Sequence, residues 1–123
     1  MSTLERLRAE MRRRSQRRSK LNQELSRLLA LLRAMPVEKV ILFGSLARGE
    51  VGMNSDLDLV VIMPSEKRFL SRAVELAQIL EPELGLDLLV YTPEEFRGMQ
   101  EDGNPFISQV LKEGKVLYEA ESA

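Results

Sequence analysis

Residues 37–63 read VEKVILFGSLARGEVGMNSDLDLVVIM, two apolar runs joined by a polar connection that contains three glycines. Val37 to Phe43 is β-branched and apolar and stops at Gly44, which is how a strand reads. Leu57 to Met63 has the same character and is closed by Pro64, so a second strand is expected there. Gly44-Ser45 falls where the first strand gives way to a turn or helix. Asp56 and Asp58 stand two apart at the start of the second strand, a spacing that puts both side chains on one face. Two adjacent carboxylates at the edge of an apolar run repel each other and are costly to desolvate unless something cationic lies between them. Arg or Lys could serve, and a divalent metal serves better.

Working outward, Leu86 to Tyr91 (LDLLVY) reads as a third strand with Asp87 near its start. If the second and third strands are neighbours, three carboxylates converge. Such a set of oxygen donors can hold two magnesium ions for in-line phosphoryl chemistry. Gly44 would let a backbone approach closely, the amides from Ser45 onward suit a phosphate, and Arg48 adds a fixed positive charge. Each piece alone has a plainer reading. Gly-Ser is a turn, Asp-x-Asp a surface pair or cap, Asp87 an ion-pair partner, and Arg48 a loop partner of Glu50. The joint pattern is what chance does not readily produce.

The other elements follow from spacing. Residues 66–81 carry apolar positions at helical intervals, from Phe69 and Leu70 to Leu80. Thr92-Pro93-Glu94-Glu95 is a helix start, with an N-cap Thr, Pro at the first position and Glu three after the cap. Gly103 and Asn104 end that helix; a short one through Phe106 to Leu111 and a last strand, Val116 to Tyr118, follow. The fold class is therefore α/β (α+β), a small mixed sheet flanked by helices.

Ahead of this core, residues 1–35 are expected to form a basic amphipathic helix, with the core spanning 36–123 as a single domain overall. Ser2 and Glu5 have the spacing of a capping box, and Pro36 stops the helix. Leu4, Leu7, Met11, Leu21, Leu25, Leu28, Leu32 and Met35 follow three- and four-residue steps, interrupted at Arg14 and Arg18. One helix, or two broken near Ser15–Ser19, would fit; a packed second half and a protruding first half are favoured, because arginines on a buried seam are costly.

Composition narrows the chemistry. The 123 residues are 44% hydrophobic and 30% charged, enough for one domain with a core. With no Cys and no His, disulfides, thiolate nucleophiles, imidazole bases and His-ligated metals are excluded, which leaves hard cations on oxygen ligands. No apolar run approaches the length of a membrane span, and no signal-peptide core is visible, so a soluble cytoplasmic protein is expected. The net charge of -1 averages two unlike parts: residues 1–33 hold ten Lys/Arg against three Glu, the remainder eight against sixteen acids. The run from Arg12 to Lys20 reads first as a solvated or partner-facing helix. It contains no aromatic residue for stacking on bases, so nucleic acid is the weaker reading.

Taken together, GSLARGEVGMNSDLDLVV, with Gly-Ser, ten residues and Asp-x-Asp, resembles the signature of the DNA polymerase β-like nucleotidyltransferase superfamily, and LDLLVY resembles its third-carboxylate strand. The resemblance spans residues 37–118 and is nearest to the minimal nucleotidyltransferases (MNT), antitoxin-like partners of HEPN proteins. It implies that Asp56, Asp58 and Asp87 ligate two Mg²⁺ ions, or Mn²⁺, with Asp87 also helping to deprotonate the attacking hydroxyl. It implies that Gly44 and Ser45 hold the β- and γ-phosphates of ATP, with Arg48 assisting. The activity implied is adenylylation of a hydroxyl, often a tyrosine, on a HEPN-type helical toxin carried by another polypeptide. Two alternatives stand beside it: transfer to a small-molecule hydroxyl such as an aminoglycoside, with a homodimer supplying the second wall of the cleft, or a non-enzymatic nucleotide-binding module that neutralises its partner by contact. Separately, the heptad-like stripe suggests a homodimer through the N-terminal helix or a contact with another chain.

Overall fold

The computed structural model describes residues 1–121. Its elements are α1 (Thr3–Arg33), β1 (Lys39–Phe43), α2 (Gly44–Arg48), β2 (Leu57–Ile62), α3 (Phe69–Leu80), β3 (Leu86–Tyr91), α4 (Pro93–Glu101), α5 (Pro105–Glu113) and β4 (Lys115–Glu119). The strands form one sheet in the order β3-β2-β1-β4. β1 runs antiparallel to both β2 and β4, whereas β2 and β3 are parallel and are joined by the α3 crossover. This is the mixed sheet between helices that the sequence pattern implies.

Strand alternation divides the core into two layers. Val40 and Leu42 of β1 and Leu57, Leu59 and Val61 of β2 face α1 and α3, where they meet Leu21, Leu25, Leu28, Leu32, Leu76 and Leu80. Ile41, Val60 and Ile62 face the other way, against Phe96 of α4 and Ile107 and Val110 of α5. Being covered on both faces explains why β2 reads as a continuous apolar run rather than an alternating one. Among its six residues only Asp58 is not buried.

α1 is one unbroken helix of 31 residues, so the break near Ser15–Ser19 does not occur. The Ser2 hydroxyl accepts from the Glu5 N–H at 3.1 Å and caps its start. Its two halves differ in kind. Every buried residue lies from Leu21 onward, while Leu4, Leu7 and Met11 are 59%, 50% and 64% exposed. The second half is fastened by a polar anchor. The buried Glu24 carboxylate accepts from Arg27 at 2.6 and 3.1 Å and from the backbone N–H groups of Glu83 and Leu84. Arg27, whose guanidinium holds Glu24 below the usual carboxylate range, also donates to the carbonyls of Leu80 and Glu81 at the end of α3. A buried carboxylate satisfied on every side is tolerable, and an unpaired one is not. α4 begins with the expected capping box of Thr92 and Glu95, with Pro93 in its first turn.

The asymmetry of α1 has a measurable consequence. Leu28→Ala should cost about 2–5 kcal/mol in urea unfolding, and Leu7→Ala less than about 0.5 kcal/mol.

Candidate active site

The parallel pairing of β2 with β3 puts Asp58 directly opposite Asp87. Asp58 shares its face of β2 with Val60 and Ile62, so the pair lies on the α4/α5 side of the sheet, at the end where both strands begin. The two carboxyl groups are close enough to hydrogen-bond. Desolvation, that hydrogen bond and the charges of Asp87 and Asp56 push the Asp58 carboxyl up to about 6, against which Arg48 pulls only weakly. Asp56 lies one residue before β2 begins. The structure therefore brings the three acids to one end of two adjacent strands, with Asp58 and Asp87 as the tight pair.

Two glycines make room for these side chains. A Cβ at Gly44 would sit 2.0 Å from Asp58 Oδ2, and one at Gly85 would sit 2.3 Å from Asp56 Oδ1. Gly44 also has φ +74°, in the left-handed region that glycine occupies freely. It follows Phe43, which pairs with Asp58 across β1 and β2, and it opens the five-residue helix α2. Ser45 stands in the first turn of α2 beside it. Gly49 closes α2 in a left-handed cap at φ +73°. In the loop that follows, the Gly52 N–H donates to Ser55 Oγ at 2.8 Å.

Arg48 is engaged by acids: it donates to Glu50 at 3.0 Å and lies 4.0 Å from Glu113 of α5. Beside it, a cavity of about 140 Å³ is lined by Phe43, Gly44, Phe106, Gln109 and Val110. That is smaller than the ~300 Å³ at which ligand pockets usually begin. The guanidinium that touches a site carboxylate is instead Arg17 of α1. It donates to the Ser55 carbonyl at 2.8 Å and to Asp56 Oδ1 at 3.3 Å. In the sequence Arg17 is one member of a run that reads as solvated or partner-facing, and nothing there marks Gly85. The arginines that interrupt the apolar stripe hinted that this part of the helix meets something polar.

An acid whose folded pKa is raised holds its proton more tightly when folded. Asp58 therefore weakens the fold as pH climbs from about 4, its unfolded value, to about 6, and the penalty persists above that. In chelator-treated buffer near neutral pH, Asp58→Asn should raise stability by about 1–2 kcal/mol, the shift being discounted for partial exposure. Below pH ~4, where both states are protonated, the gain should vanish in thermal melts.

Comparison with known proteins follows the same lines. A family model described as a nucleotidyltransferase domain matches residues 18–118. No curated protein gives a significant match. Among solved structures, a proposed nucleotidyltransferase from Sulfolobus solfataricus superposes with a TM-score of 0.62 at 15% identity, covering 90% of this chain and 91% of that one. A toxin–antitoxin structure with AMP-PNP superposes at 0.53 and 25% identity, covering 78% of this chain and 73% of that one. A mutant of the toxin–antitoxin MntA–HpeT does so at 0.54 and 24%, covering 78% and 72%. The family match runs from the middle of α1 to β4 and includes every acid of the site. The chain belongs to the nucleotidyltransferase domain family.

Proposed function

We propose that this chain is a minimal nucleotidyltransferase that moves AMP from ATP onto a hydroxyl of a HEPN-type toxin partner, acting as its antitoxin. The observation that carries the chemistry is the register of Asp58 against Asp87 beside the Gly44 turn. Two carboxylates opposed at the start of adjacent strands are a poor choice for stability and a good one for binding a cation. The partner and the donor nucleotide are supported by the likeness, at 25% identity, to a toxin–antitoxin structure with AMP-PNP.

The donor set fits Mg²⁺ or Mn²⁺, because every candidate ligand is a carboxylate oxygen and the crowded pair needs positive charge or a proton between its members. Among the described residues no three acidic groups already stand as a closed metal centre, and Asp56 is turned to Arg17. Asp56, Asp58 and Asp87 would hold the ions, which supply charge neutralisation for the carboxylates and the triphosphate. Gly44 and Ser45 would bring backbone N–H groups to the β- and γ-phosphates. Arg48 would add charge there after exchanging its hold on Glu50. In the transfer, the acceptor oxygen bonds to the α-phosphorus, the bond from that phosphorus to the α–β bridging oxygen breaks, and pyrophosphate leaves. Asp87 would take the hydroxyl proton.

The test is to co-purify the chain with the product of the neighbouring gene, add Mg²⁺ and ATP, and take intact masses. A gain of AMP units on the partner is expected, reduced by about 100-fold or more in Asp58→Asn. A stable complex that never gains mass would sink the enzymatic reading in favour of neutralisation by contact. Gly85→Ala should also depress transfer, since its Cβ would press on the Asp56 carboxylate.

A further inference from the structure

The basic run of α1 is not uniform. Of the nine residues from Arg12 to Lys20, eight are exposed and Arg17 alone is drawn in, its side chain 20% exposed against 54% for Arg14. Its guanidinium spans two consecutive residues, with Nε on the Ser55 carbonyl and Nη2 on the Asp56 carboxylate. Only arginine offers rigid, forked donors of this kind. Its neighbour Arg18 reaches the Gly49 carbonyl at 3.5 Å, at the other end of the same loop. Asp56 Oδ1 thus accepts from Arg17 and also lies against the bare Cα of Gly85, while the rest of the carboxylate stays open to solvent.

The helix that bears these arginines is a firm support. One turn further on, Leu21 is fully buried, and the Glu24–Arg27 pair grips residues 80–84, the turn that leads to Gly85 and Asp87. α1 therefore holds both segments that deliver acids to the site. We propose that Arg17 is a positioning residue: together with Arg18 it clamps the loop of residues 49–55 onto α1 and fixes the Asp56 carboxylate for cation binding. The clamp itself is a matter of this chain's own contacts; its meaning for catalysis rests on the nucleotidyl-transfer reading above.

An exposed ion pair contributes little to global stability, so the effect belongs in the loop and at the cation. Supporting contacts of metal ligands typically change metal affinity by about 10–100-fold when removed. The experiment compares wild type, Arg17→Gln, Arg17→Lys and, as a control with the same change of charge as the first variant, Arg13→Gln. Hydrogen exchange is followed in metal-free protein, and Mn²⁺ uptake by electron paramagnetic resonance. In Arg17→Gln the amides of residues 49–56 should exchange about tenfold faster while β1 and β2 keep their protection, and Mn²⁺ should bind about tenfold more weakly. Arg17→Lys, which keeps the charge and loses the fork, should recover only part of both. Unchanged loop exchange in Arg17→Gln overturns the clamp, and so does an equal change in Arg13→Gln. Mn²⁺ affinity that stays level or rises in Arg17→Gln overturns the positioning role. If wild type takes up no Mn²⁺, the metal-dependent reading of the site falls, and loop exchange alone decides the clamp.

Discussion

Two carboxylates held opposite each other on adjacent parallel strands are the constraint around which this small fold is arranged. A fold selected only for stability has no reason to set Asp58 opposite Asp87, because partial burial of Asp58 and the repulsion between the two charges both work against it. The rest of the molecule makes the arrangement tolerable. β2 is anchored by five buried residues around its single acid, and both faces of the sheet are covered. Gly44 gives up its side chain so that Asp58 can lie against the backbone, and Gly85 does the same for Asp56.

The N-terminal helix enters this picture as two objects in one element. Its C-terminal half is core, contributing Leu21, Leu25, Leu28 and Leu32 to the layer beneath the sheet. Its N-terminal half extends past the core with its apolar positions in solvent. The boundary between the two is where Arg17 and Arg18 meet the loop. Whatever engages the free half is therefore mechanically close to Asp56, although it lies far from the sheet.

Much of this was readable from residue order alone, and the parts that were not share a cause. The strands around the motif announced themselves by apolar β-branched runs between Gly and Pro. α4 was marked by its Thr-Pro-Glu-Glu start, and β2 and β3 were distinguished by carrying acids at their openings. Boundaries shifted where local turns intervened. β1 starts at Lys39 rather than Val37, because the Val37 N–H closes a turn onto Met35. α3 starts at Phe69 rather than 66, and α5 runs from Pro105 to Glu113, beyond the stretch expected. Arg17 and Gly85 escaped because their roles exist only in three dimensions. Arg17 acts 39 positions away from itself, and nothing in RRRSQRRSK marks it off from its neighbours. Arg48 shows the converse: it was picked out by its place in the motif, and its pairing with Glu50 and Glu113 was legible only in part, since Glu113 is remote in sequence.

The near-zero net charge conceals a strongly polar particle. The surplus of positive charge is gathered on a helix that reaches, at 1.5 Å per residue, about 46 Å from end to end, and the negative surplus sits on the body it leaves. Such a molecule carries a large permanent dipole whatever its net charge. In dilute buffer, copies would tend to line up head to tail, the basic spike of one against the acidic body of the next. With a Debye length of about 10 Å at 0.1 M salt, that order dissolves once the ionic strength nears that of a cell. Colloidal behaviour will therefore follow salt far more closely than it follows distance from the isoelectric point of 5.6.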